Sequence, residues 1–416
     1  MNYGCYVHIP FCNGEKCPYC GFYSIPYSPY LADDYIPALL EQARRSKFPP
    51  ADTLYIGGGT PSILTAKQLN DLFTGLRRIL PFTDDLEITI ELNPENVTDE
   101  LVSILTELGI TRVSLGVQSL VQRQLMVLGR KHNAQRAIEA FDMLKKGNFS
   151  TSIDLMFGVP GQELKEWEMT LDKAIELNPD HISTYCLSFE EGTPFSFALR
   201  KGLIAPVDAE HEREMFYLAV EKFSAAGYGH YEISNFAKRG KESKHNMKYW
   251  TGAGYFGLGA AAHSFIPGPP RWLRMAVRRS VRSYIKKISE AEQPWDFIEL
   301  LDLPKRSAEF LMLRLRLIEG FTVEDVARQL PELDAIRYTD FLRPLEEASK
   351  ITLQAGHLKI PAEHLFISDS IIRAAVLATE NYVKQVAIQS RNIVNDFDVI
   401  DYVKRFHNPD DPSPQG

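Results

Sequence analysis

The stretch Tyr6–Ser24, YVHIPFCNGEKCPYCGFYS, runs from a strand-like segment straight into three closely spaced cysteines. Cys12, Cys17 and Cys20 form C-x4-C-x2-C just after a predicted strand over Cys5–Ile9. Three thiolates in so short a loop hold one metal ion or one cluster. A [4Fe–4S] cluster with only three cysteine ligands keeps one iron open to a small chelating molecule. A zinc ion completed by His8 or Cys5 is the alternative reading, and three buried, unliganded cysteines are the bland one.

The rest of the chain narrows the setting of that loop. Its 416 residues hold five cysteines, Cys5, Cys12, Cys17, Cys20 and Cys186, four of them in the first twenty positions. A net charge of −8 gives no global pull towards nucleic acid or an anionic membrane, so nucleic-acid binding is disfavoured. Hydrophobic residues at 44% suffice for a sizeable core, and the length suits two domains. The start MNYGCYVHIPFC lacks the basic opening and apolar core of a signal peptide. There is no apolar run long enough for a membrane span, although peripheral membrane contact stays open. A cytoplasmic protein is expected, where clustered cysteines serve metal or redox chemistry.

From Gly4 to about Ser188, strand and helix patterns alternate. Strands are predicted at Cys5–Ile9, Thr53–Ile56, Leu86–Glu91, Arg112–Leu115, Thr151–Leu155 and His181–Tyr185. Amphipathic helices are predicted at Asp34–Ser46, Ala66–Ile79, Asp99–Leu108, Asn133–Lys146 and Glu163–Leu177. This order predicts an α/β fold with parallel strands, as a barrel or a doubly wound sheet, and a ligand site at the carboxyl ends of the strands. The first domain is read as 1–265. A Pro/Gly linker and basic segment follows over 266–303, with Arg271, Arg274, Arg278, Arg279, Arg282, Lys286 and Lys287. A smaller helical, winged-helix-like domain is read over 304–374, and a C-terminal extension with a disordered end over 375–416.

Gly57-Gly58-Gly59-Thr60-Pro61 follows a strand, where glycines admit a ligand close to the backbone and exposed N–H groups can bind an anionic end. No GK[ST] follows at P-loop spacing. Gly252–Gly257 matches G-x-G-x-x-G without a preceding buried strand and reads as a structural turn.

Taken in order, YVHIPFC, GGGTPS, ELNPE, SLGVQS, LGRKH, DLMFGVPGQ, EEGTPF, YEISNFA, HNMKYW and GLGAAAHS resemble the radical S-adenosylmethionine (SAM) proteins of the coproporphyrinogen-oxidase group, and within it the HemW-type haem chaperones. The resemblance implies a partial (β/α)6 barrel with a smaller C-terminal domain, and a [4Fe–4S] cluster on Cys12, Cys17 and Cys20. It also implies SAM contacts from Tyr6, Gly58, Gly59, Thr60, Glu91, Gln118, Arg130 and Asp154. The chemistry agrees, since the carboxylates and Gln118 suit an ammonium and ribose hydroxyls, and Arg130 suits a carboxylate. The family loop normally reads C-x3-C-x2-C. The extra residue here falls in Asn13-Gly14, which tolerates an outward bulge.

The resembled group also contains true oxygen-independent coproporphyrinogen III oxidases. Those carry a further cysteine two residues after the third cluster cysteine, where this chain has Phe22, and a long arm before the cluster, where only eleven residues precede Cys12. His245 in HNMKYW matches the chaperone signature instead. It is the candidate haem ligand, with Tyr249 and Trp250 able to pack on a porphyrin face, and a buried polar network is its alternative. The resemblance implies haem as cargo and haem-accepting proteins as partners. A zinc-bearing nucleic-acid-binding module is the competing class, and monomer and dimer both stay open.

Overall fold

The computed structural model describes residues 2–268 and 272–390. Six strands follow one another in a parallel sheet: β1 (Tyr3–Ile9), β2 (Ala51–Gly58), β3 (Phe82–Leu92), β4 (Arg112–Gln118), β5 (Ser150–Phe157) and β6 (His181–Cys186). The crossovers carry α1 (Pro29–Arg45), α2 (Ala66–Ile79), α3 (Asp99–Glu107), α4 (Ala134–Leu144) and α5 (Leu164–Leu177). Local chemistry sets their ends. Thr65 and Gln68 form a reciprocal capping box at the start of α2, and Asn178 at φ 56 closes α5 in the left-handed conformation. All six predicted strands and five predicted helices are present, with ends moved by a few residues.

The strands alternate in a way that decides where the site lies. Val7, Leu54, Ile90, Val113, Ile153 and Ile182 belong to the apolar core. Their neighbours Tyr6, Tyr55, Glu91, Ser114, Asp154 and Ser183 line one cavity. A parallel sheet with both faces packed would read as continuous apolar runs. The period-two alternation here comes from an inner face that is polar and surrounds an open space. Outside it, Trp167 of α5 is fully buried against Phe157 and donates its indole N–H to the carbonyl of Met215 at 2.8 Å.

The sheet continues beyond the six strands on both sides. Past β6 lie β7 (Gly229–Glu232) and β8 (Asn235–Ala237), with β8 pairing antiparallel to β6. Past β1 lies β9 (Tyr255–Leu258), parallel to it, followed by the antiparallel β10 (His263–Ile266), β11 (Leu273–Val277) and β12 (Trp295–Leu300). The boundary at 265 and the linker over 266–303 are therefore corrected. This segment builds two strands of the main sheet, and its helix Val281–Ser289 packs on α1 through Tyr284 and Tyr35. The last two residues of the predicted linker Pro267–Pro270 lie outside the described residues.

The basic run is largely neutralised. Arg274 pairs with Glu309 at 2.8 Å, Arg278 with Asp296 at 3.3 Å and Lys287 with Asp296 at 3.9 Å. Arg274 is half-buried between buried neighbours in the strand Leu273–Val277, and Lys286 pairs with Glu290 at 3.8 Å, which removes the motive for a nucleic-acid surface.

The C-terminal unit is helical with a short hairpin, Thr352–Gln354 against His357–Lys359, as a wing. Helices Leu303–Arg314 and Ser368–Ser390 are its long elements. The second runs through the expected boundary at 374. Residues 391–416, with the expected disordered end, lie outside the described residues.

Candidate functional site

One cavity of about 990 Å³ opens at the carboxyl ends of the parallel strands. Cys12, Cys17 and Cys20, all free thiols, lie on its wall together with residues from every one of the six central strands. The volume sits at the top of the range of roughly 300–1,000 Å³ usual for small-molecule sites, so a nucleoside-sized ligand leaves room beside it.

The cysteine loop is held at both ends. The carbonyl of Cys12 accepts from the N–H of Gly14 and of Tyr27, each at 2.9 Å, and the N–H of Cys20 reaches the carbonyl of Cys17 at 3.1 Å. Gly14 has φ 75 and is exposed, as are Asn13, Glu15 and Lys16. The additional residue thus bulges into solvent at a glycine that tolerates the left-handed conformation, while the cysteines stay on the cavity wall. Donors aim at the sulfurs: Thr60 Oγ1 at Cys12 Sγ, 3.7 Å, and Arg130 at Cys17 Sγ, 3.5 Å.

Two glycines of the GGGTP turn are required by close approach. A side chain on Gly58 (φ 114) would meet the His8 ring at 2.5 Å, and one on Gly59 would meet the carbonyl oxygen of Phe11 at 2.5 Å. The N–H groups expected to bind an anion are already used. Gly58 donates to Glu91 at 3.0 Å, Gly59 to the carbonyl of Ile9 at 2.8 Å and Thr60 to that of Phe11 at 2.7 Å. The turn is therefore a brace that locks the stem of the cysteine loop to β2, and the anion-cradle reading is withdrawn.

Beneath the loop the acids converge. Glu91 accepts from Tyr55 Oη at 2.8 Å as well as from Gly58, and its burial, with Asp154 nearby, pushes its pKa up to about 7. Asp154 is likewise raised by burial, and Ser114 Oγ lies 3.1 Å from one of its oxygens. The buried guanidinium of Arg112 lies on the same inner face, where its charge favours both carboxylates. Arg130 is fixed by Asn93 Oδ1 at 2.8 Å and by the carbonyl of Gly116 at 2.9 Å. Gln118 lines the cavity at φ 63, a conformation that costs a non-glycine residue about 1–2 kcal/mol and is concentrated at functional sites. Tyr6 bonds His8 Nδ1 at 3.0 Å on the cavity wall.

His245 does not line this cavity. It is buried in the short helix Lys244–Trp250, with Nδ1 on Thr53 Oγ1 at 2.8 Å and Nε2 on Tyr249 Oη at 2.9 Å. Burial holds its pKa down at about 3. Both ring nitrogens are committed, so no lone pair faces a ligand. The alternative weighed for it, a buried polar network, is the arrangement present, and the haem-ligand reading of His245 is set aside. The zinc reading also loses its fourth ligand. Cys5 packs in the apolar core, and His8 is bonded through both nitrogens, to Tyr6 and to the carbonyl of Tyr23 at 2.9 Å. Among the described residues no three Cys, His, Asp or Glu side chains converge as they would on a single ion. Thiolates on the separate corners of a cubane need no such convergence.

Sequence reading missed Tyr55, Asn93, Arg112, Ser114 and Arg279 on this wall. Four of them sit on or next to the period-two inner face of a predicted strand, a signal that was available. Arg279 was read only as part of a charge run. The G-x-G-x-x-G match is structural, although only its first half is the expected turn and Tyr255–Gly257 belong to β9: side chains on Gly254 and Gly257 would meet the Tyr3 ring and the His263 carbonyl oxygen, each at 2.3 Å. No helix of the described residues is long and apolar enough to cross a membrane.

Comparison with known proteins agrees with this geometry. Residues 6–174 match the model of the radical SAM superfamily. The chain is 36% identical over 330 residues to the heme chaperone HemW of Bacillus subtilis, covering 78% of this chain and 86% of that protein. It is 36% identical over 384 residues to the heme chaperone HemW of Escherichia coli, covering 88% and 93%. The fold is shared with the coproporphyrinogen III oxidase of Escherichia coli at a TM-score of 0.76 and 22% identity, over 92% of this chain and 90% of that one. With three thiols and the strand-end acids on one cavity and relatives of this similarity over most of its length, the chain belongs to the HemW heme chaperone family of the radical SAM superfamily.

Proposed function

We propose that this protein is a cytoplasmic haem chaperone that holds a [4Fe–4S] cluster on Cys12, Cys17 and Cys20, binds SAM beside it, and carries haem to acceptor proteins. The observation that carries this reading is the large cavity on which the three thiols, the raised carboxyls of Glu91 and Asp154, and Arg130 all stand. The donor set fits the cluster, because three sulfurs with no fourth protein ligand leave one iron for SAM. When bound, the cluster supplies an iron that chelates SAM and an electron reservoir.

The chain's own groups then orient and exclude. Glu91 and Asp154 would accept from the ammonium and ribose hydroxyls of SAM, whose positive charge would favour the ionised form of Glu91. Gln118 is pre-set by its strained backbone, and Arg130 bridges Asn93 to the cluster sulfur of Cys17. Phe22, exposed at the cavity, stands where the oxidases have a further cysteine, so the chain lacks that sulfur beside the substrate space.

Anaerobic reconstitution should give about four irons per chain and SAM-dependent perturbation of the cluster. Haem should bind and pass to an apo-haemoprotein. Formation of protoporphyrinogen from coproporphyrinogen III with SAM and a reductant would refute the chaperone reading, and so would a chain that takes up only zinc.

A further inference from the structure

Haem iron needs an axial ligand, and His245 has none to give. Two histidines line the cavity, His8 and His263. His8 spends both ring nitrogens on Tyr6 and Tyr23. His263, at the start of β10, is exposed, and its ring makes no hydrogen bond among the described residues.

Its backbone is fixed although its ring is free. Ala261, two residues earlier, has φ 67, strain of about 1–2 kcal/mol for an alanine. The turn that imposes this strain is clamped from below. Gly259 N–H donates to Gln42 Oε1 at 2.9 Å, Ala260 N–H to Tyr35 Oη at 2.8 Å, and Gly257 N–H to Ser264 Oγ at 2.9 Å. Gln42 and Tyr35 are both buried in α1, and Tyr284 of the helix Val281–Ser289 donates to Gln42 at 2.6 Å. A rigid turn thus presents a free imidazole at the cavity.

The cation suited to a propionate lies beside it. His263 pairs with Ala276 in the sheet, and Arg279 follows three residues on, at the cavity. Arg274 and Arg278 are committed to Glu309 and Asp296. Arg279 has no ion pair among the described residues. Phe22 and Tyr23 add aromatic surface to the same cavity, Phe22 being 69% exposed, an exposure that a porphyrin face would cover. Burial and the nearby charges of Arg274 and Arg279 lower the His263 pKa, so the ring is neutral at neutral pH and keeps a lone pair for iron.

We propose that His263 is the axial haem ligand and that Arg279 pairs with a haem propionate, seating the cargo at the mouth of the cavity. The inference rests on the chaperone reading and names its ligand. Coordination forms one N–Fe bond in place of iron-bound water, with no electron transferred.

The test uses the full, reconstituted chain titrated with ferric haem and followed by Soret absorbance and by electron paramagnetic resonance of the haem iron. His263→Ala should change both spectra and raise the Kd at least tenfold, and added imidazole should restore the wild-type spectra. Arg279→Ala should raise the Kd severalfold and leave the spectra unchanged. Wild-type spectra and affinity in His263→Ala would overturn the assignment while leaving the chaperone reading intact. Loss of the wild-type spectra in His245→Ala alone would also overturn it. A wild-type chain that takes no haem would overturn both.

Discussion

The substitution Glu91→Gln should change how stability depends on pH in a direction the structure fixes. The folded carboxyl titrates at about 7 in place of its ordinary 4.5, chiefly because it is buried. The folded chain therefore holds this proton more tightly than the unfolded chain. Its contribution is full below about pH 4.5 and is lost as pH rises through about 7. The loss amounts to about 3 kcal/mol at alkaline pH and under about 1 kcal/mol near pH 5, so about 2.5 kcal/mol disappears between about pH 5 and pH 8. The amide that replaces the carboxyl is neutral throughout. Glu232 is also raised to about 7, but it is the same in both chains and cancels. Urea denaturation of the cofactor-free proteins at several pH values should show the variant gaining on the wild type by about 2 to 3 kcal/mol across that window. Parallel stability curves would refute the placement of Glu91 as an acid whose burial outweighs its hydrogen bonds to Tyr55 and Gly58. Because SAM brings a positive charge to this carboxyl, its binding near neutral pH should release protons in the wild type and not in the variant, measurable by calorimetry in buffers of different ionisation enthalpy.

Gly59→Ala drives a methyl into the Phe11 carbonyl at 2.5 Å, which is backbone and cannot swing away; it should cost at least about 2 kcal/mol in denaturation and lower iron retention, because the brace on the cysteine loop is displaced. Alanine at Cys12, Cys17 or Cys20 should each lower reconstituted iron sharply with little change in the thermal midpoint of the apo chain. His245→Ala removes a ring that satisfies Thr53 and Tyr249 in the interior and should cost about 2–4 kcal/mol. Ala291 sits at φ 58 just past the helix Val281–Ser289, so Ala291→Gly should stabilise the chain by about 1 kcal/mol in the same denaturation assay.

The six central strands were legible because their β-branched runs are bounded by Gly, Pro and Asn turns and separated by amphipathic helices. The same segments held more than was read from them. In Leu54-Tyr55-Ile56 and Val113-Ser114-Leu115 the polar residue between two apolar ones marks an inner face, and that alternation points to Tyr55 and Ser114. Residues 266–303 were misread for a physical reason. Their strands carry arginine, aspartate and glutamate, and a proline–glycine stretch precedes them, so charge and turn signals outweighed the buried Leu273, Met275 and Val277. His245 shows a limit of another kind. A motif can mark a position without saying which way its side chain is spent, and the two hydrogen bonds of this ring are visible only in three dimensions.

β1 carries the cysteine loop and has a parallel neighbour on each side: β2, about fifty residues later, and β9, about two hundred and fifty residues later. The second pairing closes a loop far longer than the first, and contacts of such separation form late and slowly. During synthesis the first strand therefore waits, with one edge open, until β9 has been made. The clamp of Tyr35 and Gln42 on the Gly259–Ala260 turn cannot form earlier either. The three thiols leave the ribosome long before β9, so the wall that carries them is completed only when that far strand arrives.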